Sequence, residues 1–165
     1  MNEFQVVRVS SRWGHRSKGG NMRVHITIAA VLGLVLLIPT TRAENNAKPE
    51  ITDLKFGAIT VNGKVFKKDV VLENGNCRKR KKGPSKPQRP KYGHTPLTPL
   101  ENIPWDCKTL VIGIGMHGKL PVVKEFKDEA KRRDVKLILR KTPAAVKYDL
   151  KNYGPDVNAI FHTTC

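Results

Sequence analysis

Cysteine is scarce in this chain: three residues in 165, and an odd number. That excludes a disulfide scaffold and leaves at least one thiol unpaired within a monomer. Acidic residues are also few, fourteen against thirty-one basic ones, for a formal net charge of +17. Such a balance favours anionic partners and says nothing about fold. Aromatics make up only 6%, and Tyr92 alone neighbours the main basic run. The stacking platform of a single-strand nucleic-acid binder is therefore missing. No apolar run reaches the ~20 residues of an ordinary membrane-spanning helix.

The longest apolar run, Val24 to Ile38, follows Arg8, Arg12, Arg16, Lys18 and Arg23 and leads into Pro39-Thr-Thr-Arg-Ala43. As a helix it would span roughly 22 Å, short of the ~30 Å hydrocarbon core. A basic flank, a short apolar core and a small residue at Ala43 predict a signal peptide or signal anchor over 1–43. Export or membrane attachment through residues 24–38 is the expectation, and Met22 is an alternative start. Residues 1–23 are also rich in Arg and Ser and nearly free of acids, so a mitochondrial leader is the rival.

Residues 44–50 read as a flexible entry to a single domain over 51–165. Ile51 to Gly57 and Ile59 to Val61 read as strands. Asn62-Gly63 is a two-residue hairpin signal with Lys64 to Leu72 as the return strand. Asp69 falls inside that strand, where a carboxylate needs a partner. Residues 73–96 read as an irregular Pro/Gly-rich basic loop. Thr98-Pro-Leu-Glu101 has the form of a capping box opening a short helical turn. Beyond Lys108 strands and helices alternate: Leu110 to Ile112, a helix over Pro121 to Arg133, Val135 to Leu139, a helix from Thr142 to about Asn152, and Val157 to Phe161. The expected fold class is α/β: an N-terminal hairpin region, then β-α-β-α-β, in one compact domain with a mixed sheet.

Two stretches bear on function. Gly113, Gly115 and Gly118 satisfy G-x-G-x-x-G between a strand and a helix, with His117 on the turn. Such glycines admit a pyrophosphate to the backbone, so Gly113, Gly115, His117 and Gly118 are candidate ligand-binding residues. The strand that should end in an acid ends in Arg140-Lys141, which could suit a 2′-phosphate, so the departure weakens NAD and leaves NADP open. The chain is too short for a complete dinucleotide domain plus a substrate domain. The second stretch is the cationic run Arg78, Lys79, Arg80, Lys81, Lys82, Lys86, Arg89 and Lys91, a candidate surface for a protein or other anionic partner. Nucleic acid is not the expected partner for an exported chain.

His162 and Cys165 are spaced as two metal ligands can be. Further ligands would have to come from His94, His117, Cys77 or Cys107, which show no recognisable spacing. The same gap undermines a Cys–His nucleophile. No metal, no cofactor and no catalytic set is expected, and the balance is toward a non-enzymatic role.

Several short segments, in order, carry a resemblance: Ile51-x-x-Leu54-x-Phe56-Gly57-x-Ile59-x-Val61, Lys68-Asp69-Val70-Val71, His94, Leu110-Val-Ile-Gly-Ile-Gly115, Thr142-x-x-Ala145 with Tyr148 or Asp149, and His162-Thr-Thr-Cys165. With these residues the chain resembles the small α/β MTH-domain family that includes the adipogenesis-associated MTH-domain protein and mitochondrial complex I (NADH dehydrogenase) assembly factor 3. The resemblance implies a compact mixed-sheet fold in which Gly113 and Gly115 form a structural turn. It implies no catalytic residues. It implies a role in respiratory-complex assembly or regulatory partner binding.

Overall fold

The computed structural model describes residues 47–165. The leader expected at 1–43 lies outside the described residues. Among them, no helix is long and apolar enough to cross a membrane.

Strands β1 (Ile51–Lys55), β2 (Ala58–Val61) and β3 (Lys64–Lys67) form an antiparallel three-stranded sheet. Asn62 and Gly63 join β2 to β3 with φ of 49° and 71°. Two consecutive left-handed residues match the right-handed strand twist, which is why this dipeptide closes hairpins. The return strand is shorter than the alternation suggests. Lys68 has φ 115°, and the chain leaves the first sheet there. After Asp69 it enters a second sheet as β4 (Val70–Glu73). Consequently Val65 is exposed while Val70, Val71 and Leu72 are all buried.

The stretch read as an irregular loop is largely ordered. Asn74 and Gly75 repeat the left-handed pair, with φ of 49° and 74°. They turn the chain into β5 (Asn76–Lys79), which pairs antiparallel with β4. A 3₁₀ turn at Gly83–Gln88 and a single helical turn, α1 (Arg89–Tyr92), follow. Thr98–Glu101 is a hydrogen-bonded turn, not the start of a helix.

The remainder follows the expected alternation: β6 (Thr109–Ile114), α2 (Lys124–Arg132), β7 (Lys136–Arg140), α3 (Thr142–Asn152) and β8 (Val157–His162). The strand order in the second sheet is β5-β4-β8-β6-β7. β6 runs parallel to β7 and β8, and β4 runs antiparallel to β5 and β8, so the sheet is mixed.

Strand alternation sends side chains to two cores. Leu110, Ile112 and Ile160 meet Phe126 and Ala130 of α2 on one face. Val111, Ala159 and Phe161 meet Ala145 and Val146 of α3, with Ile59, Val61 and Phe66 of the first sheet, on the other. Phe126 is fully buried, which stabilises the fold by about 2–3 kcal/mol. Its ring lies 4.9 Å from that of Trp105.

Candidate functional site

The helices cover opposite faces of β6, so the crossovers from β6 to β7 and from β7 to β8 leave in opposite directions. In open α/β sheets the carboxyl ends at such a reversal bound a crevice where ligands bind. Here that place lies beyond Ile114 and His162, which are paired across β6 and β8. The glycine turn sits at it, and the chain's own segment Thr163–Cys165 fills it.

Four of the turn's N–H donors are taken. Gly115 N–H donates to Thr142 Oγ1 at 2.9 Å. Met116 N–H donates to the Thr164 carbonyl at 2.8 Å, Gly118 N–H to the Gly115 carbonyl at 3.3 Å, and Lys119 N–H to the Cys165 carbonyl at 3.4 Å. A Cβ on Gly115, whose φ is +100°, would lie 1.9 Å from the Cys165 oxygen. One on Gly113 would lie 2.8 Å from Thr142 Oγ1. Thr142 Oγ1 in turn donates to the His162 carbonyl at 2.6 Å. The helix that should lend its N-terminus to a phosphate begins only at Lys124, after an extended stretch in which Val122 bridges to Leu97. Of the three glycines, Gly115 makes room for the Thr164–Cys165 backbone, Gly113 mainly for the Thr142 and Phe161 side chains, and Gly118, with φ +77°, meets only the Lys141 and Ile114 side chains at ordinary contact distance. His117, on the same turn, lies beside Phe56 with ring centroids 6.4 Å apart.

Behind this crevice lies a buried ionic cluster. Asp69 stands at the junction of the two sheets. Its Oδ1 meets His162 Nδ1 at 2.8 Å and accepts from Thr163 N–H at 3.3 Å. Its Oδ2 lies 3.2 Å from both Arg80 Nη1 and Lys82 Nζ. The Arg80 guanidinium forks onto Glu101, Nε to Oε2 and Nη2 to Oε1, each at 2.7 Å. It also reaches the Pro96 carbonyl at 2.8 Å. Ser85 Oγ donates to Glu101 Oε1 at 2.5 Å and lies 2.8 Å from Thr98 Oγ1. Burial pushes the Asp69 carboxyl up. The hydrogen bond from His162 and the charges of His162, Lys82 and Arg80 outweigh that and hold it at about 2. Two buried acids sharing one bidentate arginine is the geometry in which such charges are tolerated.

From His162 the contacts continue outward. Its Nε2 lies 3.0 Å from Thr164 Oγ1, and Cys165 Sγ lies 3.6 Å from His94 Nδ1 at the surface. His94, which shares no recognisable sequence spacing with His162 and Cys165, is thus their neighbour. Among the described residues no three His, Cys, Asp or Glu side chains form a metal-binding group. All three cysteines are free.

The basic run divides. Arg80 is buried, so its assignment to the outward surface is corrected. Lys82 leans on Asp69, and Arg78 pairs with Glu73 at 3.1 Å and reaches the Asn102 carbonyl. Lys79, Lys81, Lys86, Arg89 and Lys91 are exposed, and among the described residues none forms an ion pair. The residues missed from sequence are Ser85, Thr98 and Glu101. Their only signal was the Thr98-x-x-Glu101 spacing, which serves Arg80 instead of a helix.

No family model and no curated protein matches the sequence. Solved structures do. The conserved hypothetical protein PH1505 from Pyrococcus horikoshii OT3 is 27% identical with a TM-score of 0.60, over 70% of this chain and 99% of its own. MT938 is 24% identical with a TM-score of 0.52, over 71% of this chain and 99% of its own. A Bordetella pertussis protein described as an Mth938-like domain is 17% identical with a TM-score of 0.47, over 70% of this chain and 85% of its own. The domain has the fold of PH1505 and MT938.

Proposed function

We propose that the domain is a non-enzymatic binding or assembly-type module of the Mth938-like family, exported or membrane-tethered, whose basic loop takes an anionic partner. The observation that carries this reading is the split of the basic run. Arg80 anchors the loop through Glu101 and Asp69, and Ser85 ties the 3₁₀ turn to the same carboxylate. Lys79, Lys81, Lys86, Arg89 and Lys91 are thereby held outward on a fixed frame. Cations on an ordered frame lose less freedom on binding than cations on a free tail.

Each basic residue close to an anionic surface contributes on the order of 1 kcal/mol. Replacing all five with serine should therefore weaken binding to phosphatidylserine vesicles or a heparin column by about a thousandfold at low salt. The cluster beneath stays intact in that variant, and the fold with it. Undiminished binding by the variant rejects the reading.

The resemblance to complex I assembly factor 3, with the acid-poor Arg/Ser-rich residues 1–23, supports a second reading: import into mitochondria and a part in respiratory-complex assembly. The N-terminal sequence of the native protein, fractionated by compartment, separates the two. A chain starting at Glu44 outside the cytoplasm favours export, and a chain processed inside mitochondria favours assembly.

A further inference from the structure

We propose that the free edge of β7, with the groove between it and α2, is a docking site for an extended acidic segment of a partner protein, taken up as a sixth strand of the second sheet. This site is separate from the basic loop, which follows β5 at the opposite edge of that sheet.

Among the described residues β7 pairs with β6 alone. Lys136 N–H donates toward β6, to the Lys108 carbonyl at 2.9 Å. Main-chain groups alternate sides along a strand, so those of Leu137 and Leu139 point to the unpaired side. Among the described residues neither makes a backbone hydrogen bond outside the ladder. An added strand would satisfy them, as edge-strand addition does in peptide recognition.

The side chains beside that edge are apolar and open. A groove of about 370 Å³ runs between α2 and β7, lined by Ala130, Val135, Leu137 and Leu139 with Lys127, Lys131 and Lys136. Leu139 is 38% exposed, one of few large apolar side chains left in water. Every titratable residue of the lining is a lysine. The nearby acids of α2 are engaged elsewhere, Asp128 with Lys124 and Glu129 with Arg132 and Arg133.

Charge selects the occupant. A second copy of this chain would bring another +17 to an edge already flanked by Lys136 and Arg140, and like charges on an edge strand oppose self-pairing. Successive side chains of an added strand face opposite sides of the sheet, so its apolar residues lie over Leu137 and Leu139 and its carboxylates face Lys136 and Arg140 on the other side, where Arg140 meets Tyr148 of α3.

The test uses the full chain and a fluorescein-labelled synthetic peptide of alternating Glu and Val, about eight residues long, the length of an ordinary strand. Fluorescence anisotropy should show saturable binding. The same peptide N-methylated at alternate amides keeps its charge but cannot complete a ladder, and should not bind. Lys136 and Arg140 are exposed, so the double variant Lys136→Glu/Arg140→Glu should fold normally and bind at least about tenfold more weakly, each charge reversal acting at close range. The five-serine variant of the basic loop should bind as wild type does. Equal binding of the N-methylated peptide overturns the proposal. So does a loss of binding in the loop variant with none in the Lys136/Arg140 variant, and so does self-association through β7 that the peptide disrupts.

Discussion

The carbonyl oxygen of Cys165 stands where a side chain on Gly115 would have to be, 1.9 Å from the position of its Cβ. Fifty residues apart in sequence, the two are in backbone contact. Gly115 also has φ +100°, a conformation that L side chains rarely adopt. Gly115→Ala should cost about 3 kcal/mol or more and lower the melting temperature by on the order of 10 °C. Gly154, where an added Cβ meets nothing within 4 Å, supplies the control: Gly154→Ala should change stability by no more than about 1 kcal/mol. Thermal circular dichroism reads both. An unperturbed Gly115→Ala protein would mean that Thr163–Cys165 lies elsewhere.

Removing Arg80 should be far more damaging than removing either neighbouring lysine. Arg80→Ala leaves Asp69 and Glu101 buried without their shared cation, a loss of about 3–5 kcal/mol. Lys81→Ala, at an exposed site without an ion pair, should stay within about 0.5 kcal/mol. Urea unfolding of the two variants measures the contrast, and equal midpoints would contradict the buried cluster.

Two carboxylates give stability opposite dependences on pH. Asp69 is held at about 2, below its ordinary value. Its stabilising contribution is complete above about pH 4 and is lost as pH falls toward 2. Asp149, buried on α3, is pushed up to about 7 by burial, with Lys48 opposing, and among the described residues its Oδ2 has no hydrogen-bond partner. The unfolded chain releases that proton near pH 4 and the folded one only near 7. Asp149 therefore destabilises progressively over this window and levels off above it. Asp149→Asn should flatten the fall between pH 4 and 7 and raise stability at pH 7.5, each unit of pKa being worth about 1.4 kcal/mol. Urea midpoints across that range test it. A wild-type curve that rises through the window would show that Asp149 ionises normally.

Thiol reactivity should single out Cys165. Burial pushes Cys77 up to about 12 and Cys107 up to about 11, which leaves little thiolate at neutral pH. Cys165, half-buried beside His94, should be alkylated first by iodoacetamide at pH 7.5, and a peptide mass map identifies the modified residue. Faster labelling at Cys77 would contradict its burial against β4.

The β-α-β-α-β half was legible because its signals are local: apolar strand runs, the amphipathic face of α2, and Thr142-Pro143 opening α3. Asn62-Gly63 was legible for the same reason. Asn74-Gly75 carries the same signal, yet the cationic run behind it suggested a loop and hid β5. Arg80 could not be told from Lys79 or Lys81. Its burial depends on Asp69 and Glu101 meeting in space, and no spacing encodes that. The glycine turn is ambiguous in sequence for a physical reason. A phosphate and a peptide carbonyl ask the same of a backbone, namely free N–H groups and no Cβ in the way. Only the position of Thr163–Cys165 tells them apart.

β8 follows every other strand in sequence but lies between β4 and β6 in the second sheet. Until it arrives, the β4–β5 hairpin and the β6–β7 pair share no ladder, and Asp69 lacks a partner 93 residues away. β8 is therefore the strand that joins the two outer pairs into one sheet. Pairings so distant along the chain make folding slow. On the ribosome, the two outer halves must wait, edges exposed, until residues near 162 have emerged.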